Sequence, residues 1–344
     1  MTTIKFAPVL AGAAVGGAEN FYARFVAEMQ RRSDYSIRAF TRPNPRRQQV
    51  MAAAGVEMEL FRFGGRFNFW DHYFYRRALR RFAPDIVMTF MGRATLLTPP
   101  GDYKLVARLG HYYDLKSYRH CDYWVGITRG ICRHMIQGGL PAERVVHIPN
   151  FIDEVRAPAL PRDSFQTPTD QPLLLAFGRL HRNKGFDVLL KALAKLPEGV
   201  LWLAGAGPEE GALKALAEEL SITDRVRFLG WRDDINALLA TADLFVCPSR
   251  HEGLGSILLE AWYHQCPVVA AASQGPSEVI THGVDGLLVP IDDVQALVAA
   301  ISQVLNDRPA AAELVAQGAS AYSRDYSVER IIEKYQQFFG EITQ

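Results

Sequence analysis

Two carboxylates, Glu252 and Glu260, stand eight positions apart in the run Ser249–Ala261. Eight residues overshoot two helical turns by about 80°, so the pair does not share one helical face. The spacing fits Glu252 in a turn and Glu260 inside the helix that follows. Gly253 and Gly255 remove side chains where backbone must approach a ligand. The amides of Ser256 and Ile257 then stand free at a helix N-terminus, where a phosphate is favoured. Earlier in the chain comes Gly178-Arg179-Leu180-His181-Arg182-Asn183-Lys184-Gly185. There Arg179 and Lys184 follow an apolar strand and are bracketed by glycines, with Arg182 as a competing cation. Two cations near one point neutralise a diphosphate leaving group as charge develops on it. Cations and amides for a diphosphate, with carboxylates for hydroxyls, are what handling a nucleotide diphosphate sugar requires.

The elements that must position these groups alternate regularly. Strand-like runs occur at Ile4–Leu10, Ser36–Phe40, Asp85–Phe90, Leu105–Leu109 and Tyr123–Ile127, with helical patterns at Ala18–Arg31, Trp70–Phe82 and Arg129–Gln137. Strands recur at Leu173–Phe177, Val200–Ala204, Val226–Leu229, Leu244–Cys247 and Val268–Ala270. Helices recur at Phe186–Lys195, Glu209–Leu220, Asp233–Leu239 and Ser256–Gln265. Near-continuous apolar strands alternating with helices predict parallel sheets covered on both faces. A chain of 344 residues is long for one core, so the expectation is two doubly wound α/β domains. Their bounds are set at 1–153 and 173–324, joined by a linker at 154–172 that Pro158, Pro161, Pro168 and Pro172 punctuate. The C-terminal helical patterns Val294–Leu305, Ala310–Ala321 and Val328–Phe339 exceed what a repeat of the domain needs. Residues 325–344 are expected to return to the first domain. Ligands of such sheets bind beyond the carboxyl ends of the strands, which predicts a site in a cleft between the domains. The turn Gly16-Gly17-Ala18-Glu19 lacks the G-x-G-x-x-G spacing; its amides meet a phosphate or an acceptor, or the turn is structural. The same alternatives hold for Gly205-Ala206-Gly207-Pro208.

Composition narrows the class. Hydrophobic residues make up 49% and charged residues 22%, as in ordinary soluble proteins. Cys121, Cys132, Cys247 and Cys266 form no C-x-x-C pair, which argues against zinc and fits a reducing compartment. The run Phe6–Gly12 is short, contains Pro8 and leads into a helical pattern, so a first strand is expected rather than a signal peptide. No apolar run reaches membrane-spanning length. The net charge of +1 conceals a division: residues 1–150 carry +11 and the remainder −10. A basic first half predicts an anionic partner, membrane phospholipid or nucleic acid. Arg62–Phe82 interleaves Arg66, Arg76, Arg77, Arg80 and Arg81 with Phe67, Phe69, Trp70, Tyr73, Phe74 and Tyr75. Such a segment binds an anionic membrane surface, or it turns its aromatics to the core and leaves its arginines solvated. No nucleic-acid motif accompanies it.

The second half resembles the donor domain of the retaining GT-B-fold enzymes of glycosyltransferase family 4. Gly178-Arg179-Leu180…Lys184-Gly185, Gly205-Ala206-Gly207-Pro208, Phe228-Leu229-Gly230 and Cys247-Pro248-Ser249…Glu252-Gly253-Leu254-Gly255…Glu260-Ala261 appear in family order. Pro267-Val268-Val269-Ala270 and Asp285-Gly286-Leu287-Leu288-Val289 continue it, and Ile148-Pro149-Asn150-Phe151-Ile152-Asp153 resembles the family's interdomain segment. The resemblance implies two Rossmann-like domains. It also implies that Arg179 and Lys184 hold the donor diphosphate, that Glu252 contacts sugar hydroxyls and that Glu260 contacts the ribose. Leu254 and Gly255 would offer backbone to the sugar, Ser256 and Ile257 to the phosphate, and Trp231-Arg232 would mark the base-reading turn. Gly17, Gly178, Gly207 and Gly253 complete the expected donor contacts. No cofactor or metal is implied, in keeping with the absence of an Asp-x-Asp motif. Family members often place a His-Asp pair after a central strand. Here the candidate is His111, with Asp114 three residues on rather than adjacent.

The function so expected is retaining transfer of a hexose-type sugar from a nucleotide diphosphate sugar to a glycan or glycolipid acceptor. The setting expected is lipopolysaccharide or polysaccharide synthesis, in the cytoplasm and peripheral to the inner membrane face. Sugar-nucleotide 2-epimerisation on the same fold and a non-catalytic sugar-nucleotide-binding subunit are the alternatives.

Overall fold

The computed structural model describes residues 3–12, 16–64 and 68–344. The chain divides into two compact units, Met1–Phe151 with Val328–Gln344, and Ile152–Ser327. The first holds a seven-stranded sheet in the order β3-β2-β1-β4-β5-β6-β7. Its strands are β1 (Lys5–Leu10), β2 (Ser36–Thr41), β3 (Glu57–Leu60), β4 (Ile86–Phe90), β5 (Lys104–Leu109), β6 (Tyr123–Gly126) and β7 (Val145–His147). All neighbours pair parallel. Between them run α1 (Gly17–Arg32), α2 (Pro45–Ala53), α3 (Phe69–Phe82), α4 (Met91–Leu97) and α5 (Arg129–Gln137). Every residue of β4 is buried, as a parallel strand covered on both faces requires.

The second unit repeats the plan with a six-stranded sheet in the order β10-β9-β8-β11-β12-β13. These are β8 (Leu173–Phe177), β9 (Val200–Ala204), β10 (Val226–Gly230), β11 (Leu244–Cys247), β12 (Val268–Ala271) and β13 (Leu287–Val289). Its helices are α6 (Phe186–Leu193), α7 (Glu210–Glu219), α8 (Ile235–Thr241), α9 (Ser256–Tyr263), α10 (Pro276–Val279), α11 (Val294–Asn306) and α12 (Arg308–Asp325). Residues 160–171 are tied to this unit. The Leu160 amide donates to Thr241 Oγ1, Arg162 pairs with Asp243 at 2.5 Å, and Trp202 Nε1 donates to Thr167 Oγ1.

The last helix, α13 (Val328–Thr343), belongs to the first unit. Apolar residues recur at 3.6-residue spacing along it, and Ile331, Ile332, Tyr335, Phe338 and Phe339 are all buried. The Phe339 ring lies 5.0 Å from Phe6 of β1, and Tyr335 lies 4.6 Å from Phe25 of α1. The expected return of the C-terminus to the first domain is thus observed.

Each strand and helix expected from periodicity occurs, with ends shifted by a few residues at most. Six elements were not anticipated: α2, β3, α4, β7, α10 and β13. β3 is an edge strand of sequence Glu-Met-Glu-Leu with no fully buried residue, and α2 buries only Arg47 and Met51. Neither carries an apolar periodicity to read.

Candidate functional site

The order of the second sheet sets β8 beside β11. Connections leave these strands toward opposite sides of the sheet, so a crevice opens where their following loops part. The loop after β8 carries Gly178–Gly185, and the loop after β11 carries Pro248–Gly255. Gly185 holds φ +65°, and a Cβ there would collide with the Pro248 carbonyl. Only glycine lets the two loops meet so closely. The contact delivers Lys184 Nζ to within 2.5 Å of Glu252 Oε2, with 21% and 16% of the two side chains exposed. Arg179, on the same loop, is exposed and makes no ion pair among the described residues. Beneath the pair, burial and then the Glu252 charge push the Cys247 thiol up to about 11, so this cysteine stays a neutral thiol.

Arg250 staples the two loops together. Its amide donates to the Asn183 carbonyl at 2.8 Å. Its Nη1 donates to the Arg182 carbonyl at 2.6 Å. The guanidinium fork meets both Asp187 oxygens at 2.8 Å, and Nε meets Asp292 at 2.6 Å. Burial raises the Asp187 carboxyl, but the Arg250 hydrogen bonds outweigh it and leave the pKa below the ordinary value. Sequence reasoning missed Arg250 and Asp187. An arginine between motif residues reads as a solvated loop cation, and the only available signal was its place two residues before Glu252.

The other expected donor groups lie in the same unit, on α9 and on the turns that follow β8, β9, β10 and β11. Gly255 caps α9 with φ +77°, and the amides of Ser256 and Ile257 in its first turn find no protein acceptor among the described residues. Leu254 is buried and Gly253 half-buried. The Glu252 carbonyl accepts from the Gly275 amide at 3.0 Å. Glu260 lies half-buried in α9, one turn before its end. The Gly178 amide donates to Ala204 at the end of β9. Gly207 packs against the Leu180 backbone, where a Cβ would collide with the carbonyl. It buttresses the loop that carries Arg179. At the end of β10, Trp231 is exposed, and Arg232 meets Asp234 through hydrogen bonds of 2.8 and 2.6 Å.

In the first unit, order reverses between β1 and β4. Gly17 begins α1 after β1 and is exposed. His111 follows β5 and is exposed, and its Nδ1 accepts the Tyr112 amide at 2.8 Å. Asp114 accepts the Lys116 amide at 2.9 Å and so caps a turn of its own. Two further features here escaped the sequence. Glu19, in the first turn of α1, is buried, and Met91 holds φ +70° directly after β4. Non-glycine residues in that region signal strain of the kind that collects at functional sites.

On α3, Tyr75, Ala78, Leu79 and Phe82 face the core, while Phe69 and Trp70 are 70% and 73% exposed. Tyr73, Phe74, Arg76, Arg77, Arg80 and Arg81 are exposed with them. The aromatics therefore divide between core and surface. Arg66 and Phe67 lie outside the described residues. Among the described residues, no three His, Cys, Asp or Glu side chains cluster as metal ligands, and no helix is long and apolar enough to cross a membrane.

Two parallel sheets of this order, with the last helix returned to the first unit, are the GT-B fold of the sugar-transferring enzymes. Solved structures share it across the chain. A glycosyltransferase from Rickettsia africae ESF-5 superposes with TM-score 0.88 at 16% identity, covering 100% of both chains. Anabaena Alr3699/HepE, in complex with UDP and glucose, gives 0.84 at 21% identity over 98% of this chain and 100% of its own. The family description "Glycosyl transferases group 1" matches residues 161–321, and "Glycosyltransferase Family 4" matches residues 15–156. The lipopolysaccharide core biosynthesis glycosyltransferase LpsE of Rhizobium meliloti (strain 1021) is 35% identical, covering 94% of this chain and 96% of its own. LpsD of the same strain, given the same description, is 34% identical over 94% and 95%. The chain belongs to glycosyltransferase family 4.

Proposed function

We propose that this glycosyltransferase moves a hexose-type sugar, with retention, from a nucleotide diphosphate sugar to a lipopolysaccharide-core or related glycan acceptor. The observation that carries the donor half is the meeting of Lys184 and Glu252, 68 positions apart, at the crevice between β8 and β11. A diphosphate placed there receives positive charge from Lys184, from Arg179 and from the first-turn amides of α9. Its sugar falls to Glu252 and the backbone of Gly253, Leu254 and Gly255. Glu260 takes the ribose, and the turn at Trp231 and Arg232 takes the base. Gly17, Gly178 and Gly207 keep the flanking backbone close. His111 is the proposed group on the acceptor side. In this scheme the departing diphosphate, held by protein cations, serves as the base for same-face attack.

Support for the acceptor class comes from the lipopolysaccharide core descriptions of LpsE and LpsD, each matched over 94% of this chain. The α3 surface supports action at an anionic membrane face. Exposed aromatics lie among its arginines, beside a cavity of about 790 Å³ lined by Phe69, Tyr73, Arg76, Arg80, Arg93 and Leu96. Rings that enter the interface, with cations for phosphates, suit a lipid surface. The enzyme would then work on the cytoplasmic side, where nucleotide sugars are made.

The test is a thermal-shift panel of UDP, GDP, ADP and CMP, each free and as sugar conjugates, with EDTA present. Selective stabilisation by one diphosphate sugar supports the donor site and supplies the substrate for an acceptor screen with truncated lipopolysaccharide cores. No shift from any of them would remove the donor assignment.

A further inference from the structure

Arg108, in β5, is 2% exposed, and no carboxylate among the described residues pairs with it. Its guanidinium stacks 4.2 Å from the Phe21 ring of α1 and 5.3 Å from Phe90 of β4. Nη2 donates to the Asn150 carboxamide oxygen. Arg108 Nε has no hydrogen-bond partner among the described residues. Burial lowers the Arg108 pKa, and the two tyrosines near it, Tyr335 and Tyr113, raise it; a guanidinium nevertheless keeps its proton. A buried cation without a counter-ion is costly, and an apolar side chain of similar length is often no less stable in such a place. Stability alone therefore does not account for an arginine here.

Its partners suggest a different reason. Asn150 precedes Phe151, the last residue before the chain leaves the first unit. The chain leaves the first unit at this point. We propose that Arg108 is a positioning residue that pins the crossing at Asn150 to the first unit, and that sugar transfer depends on it although it lies outside the donor loops. The dependence on transfer rests on the reading given above; the pinning does not.

The test is R108M, which keeps a stacking side chain of similar length and removes the donors. The expected result is a melting temperature within a few degrees of the wild type and a nucleoside diphosphate Kd within about twofold. Amide exchange in segment 148–151 rises about tenfold, and kcat falls about tenfold with the donor KM unchanged. Unchanged exchange there overturns the pinning. Raised exchange with unchanged kcat overturns its role in transfer. If the wild type binds no nucleotide, the transfer reading fails while the exchange data still judge Arg108. Should R108M not fold, N150A removes the exit contact alone and is expected to raise exchange in 148–151, and unchanged exchange there overturns the pinning in the same way.

Discussion

Lys184 and Glu252 form a 2.5 Å ion pair across two loops that follow neighbouring strands. The cation proposed for the donor diphosphate and the carboxylate proposed for the sugar are thus each other's partners. A diphosphate reaching Lys184 competes with Glu252 for the ammonium. Removing the carboxylate charge should help a free nucleoside diphosphate while harming transfer. We expect Glu252→Gln to tighten nucleoside diphosphate binding by about 1 kcal/mol, roughly fivefold in Kd. It should lower kcat by about a hundredfold, since the sugar contact is lost. Calorimetry and turnover on one preparation check both signs, and weaker diphosphate binding would show that the pair does not oppose the donor.

Lys184→Ala removes the cation and leaves Glu252 facing the diphosphate alone. Loss of a charge-assisted contact predicts about 2 kcal/mol, roughly thirtyfold, in nucleoside diphosphate affinity. The double variant K184A/E252Q should recover part of that loss, because repulsion by the unpaired carboxylate is gone. A double-mutant cycle measures the coupling. Additive effects would mean that the two side chains do not share a ligand.

Much of this was legible in the sequence because buried parallel strands are written as apolar runs. Leu173–Phe177, Val200–Ala204 and Leu244–Cys247 begin and end where their runs do. Edge strand β3 and helix α2 were illegible because a solvated element needs no apolar period. The motif loops were legible as chemistry, but their partnership was not. Lys184 meets Glu252 because the sheet order sets β8 beside β11, and strand order is a property of the whole sheet rather than of either loop. The Arg108 contacts are hidden for the same reason: Phe21 and Asn150 are distant from it in the chain.

Arg250 should matter to stability and site alike. Its five contacts join the loop 182–187, Glu252's own loop and Asp292. Arg250→Ala strands the Asp187 carboxylate, at a cost of about 2 kcal/mol, or roughly 5 °C in Tm for a unit of this size. The pH dependence has a definite sign. The Asp187 pKa is lowered in the folded state, so its stabilisation is fully present above the unfolded carboxyl value near about 4 and is lost as pH falls through the lower folded value. The Tm gap between wild type and R250A should hold constant from about pH 6 to 8 and narrow below about pH 4. A gap that widens in acid would exclude the Asp187 pair as its source.

The α3 surface yields the prediction most easily separated from donor chemistry. Arg76, Arg77, Arg80 and Arg81 are exposed on one helix with Trp70 and Phe74. Each arginine near an anionic bilayer contributes about 1 kcal/mol. Changing all four to Gln should weaken vesicle binding by about 4 kcal/mol, close to a thousandfold. The fold should survive, because these side chains lie opposite the buried stripe of Tyr75, Ala78, Leu79 and Phe82. Sedimentation with phosphatidylglycerol vesicles at physiological salt reads the effect, and nucleoside diphosphate binding on the same samples should be unchanged. Trp70→Ala should weaken binding by the same factor at low and high salt, whereas the arginine changes should cost less at high salt, since ring insertion is not screened and the arginine attraction is. Wild-type protein that stays in the supernatant with these vesicles would end the membrane assignment and leave α3 a solvated helix with an exposed aromatic cluster.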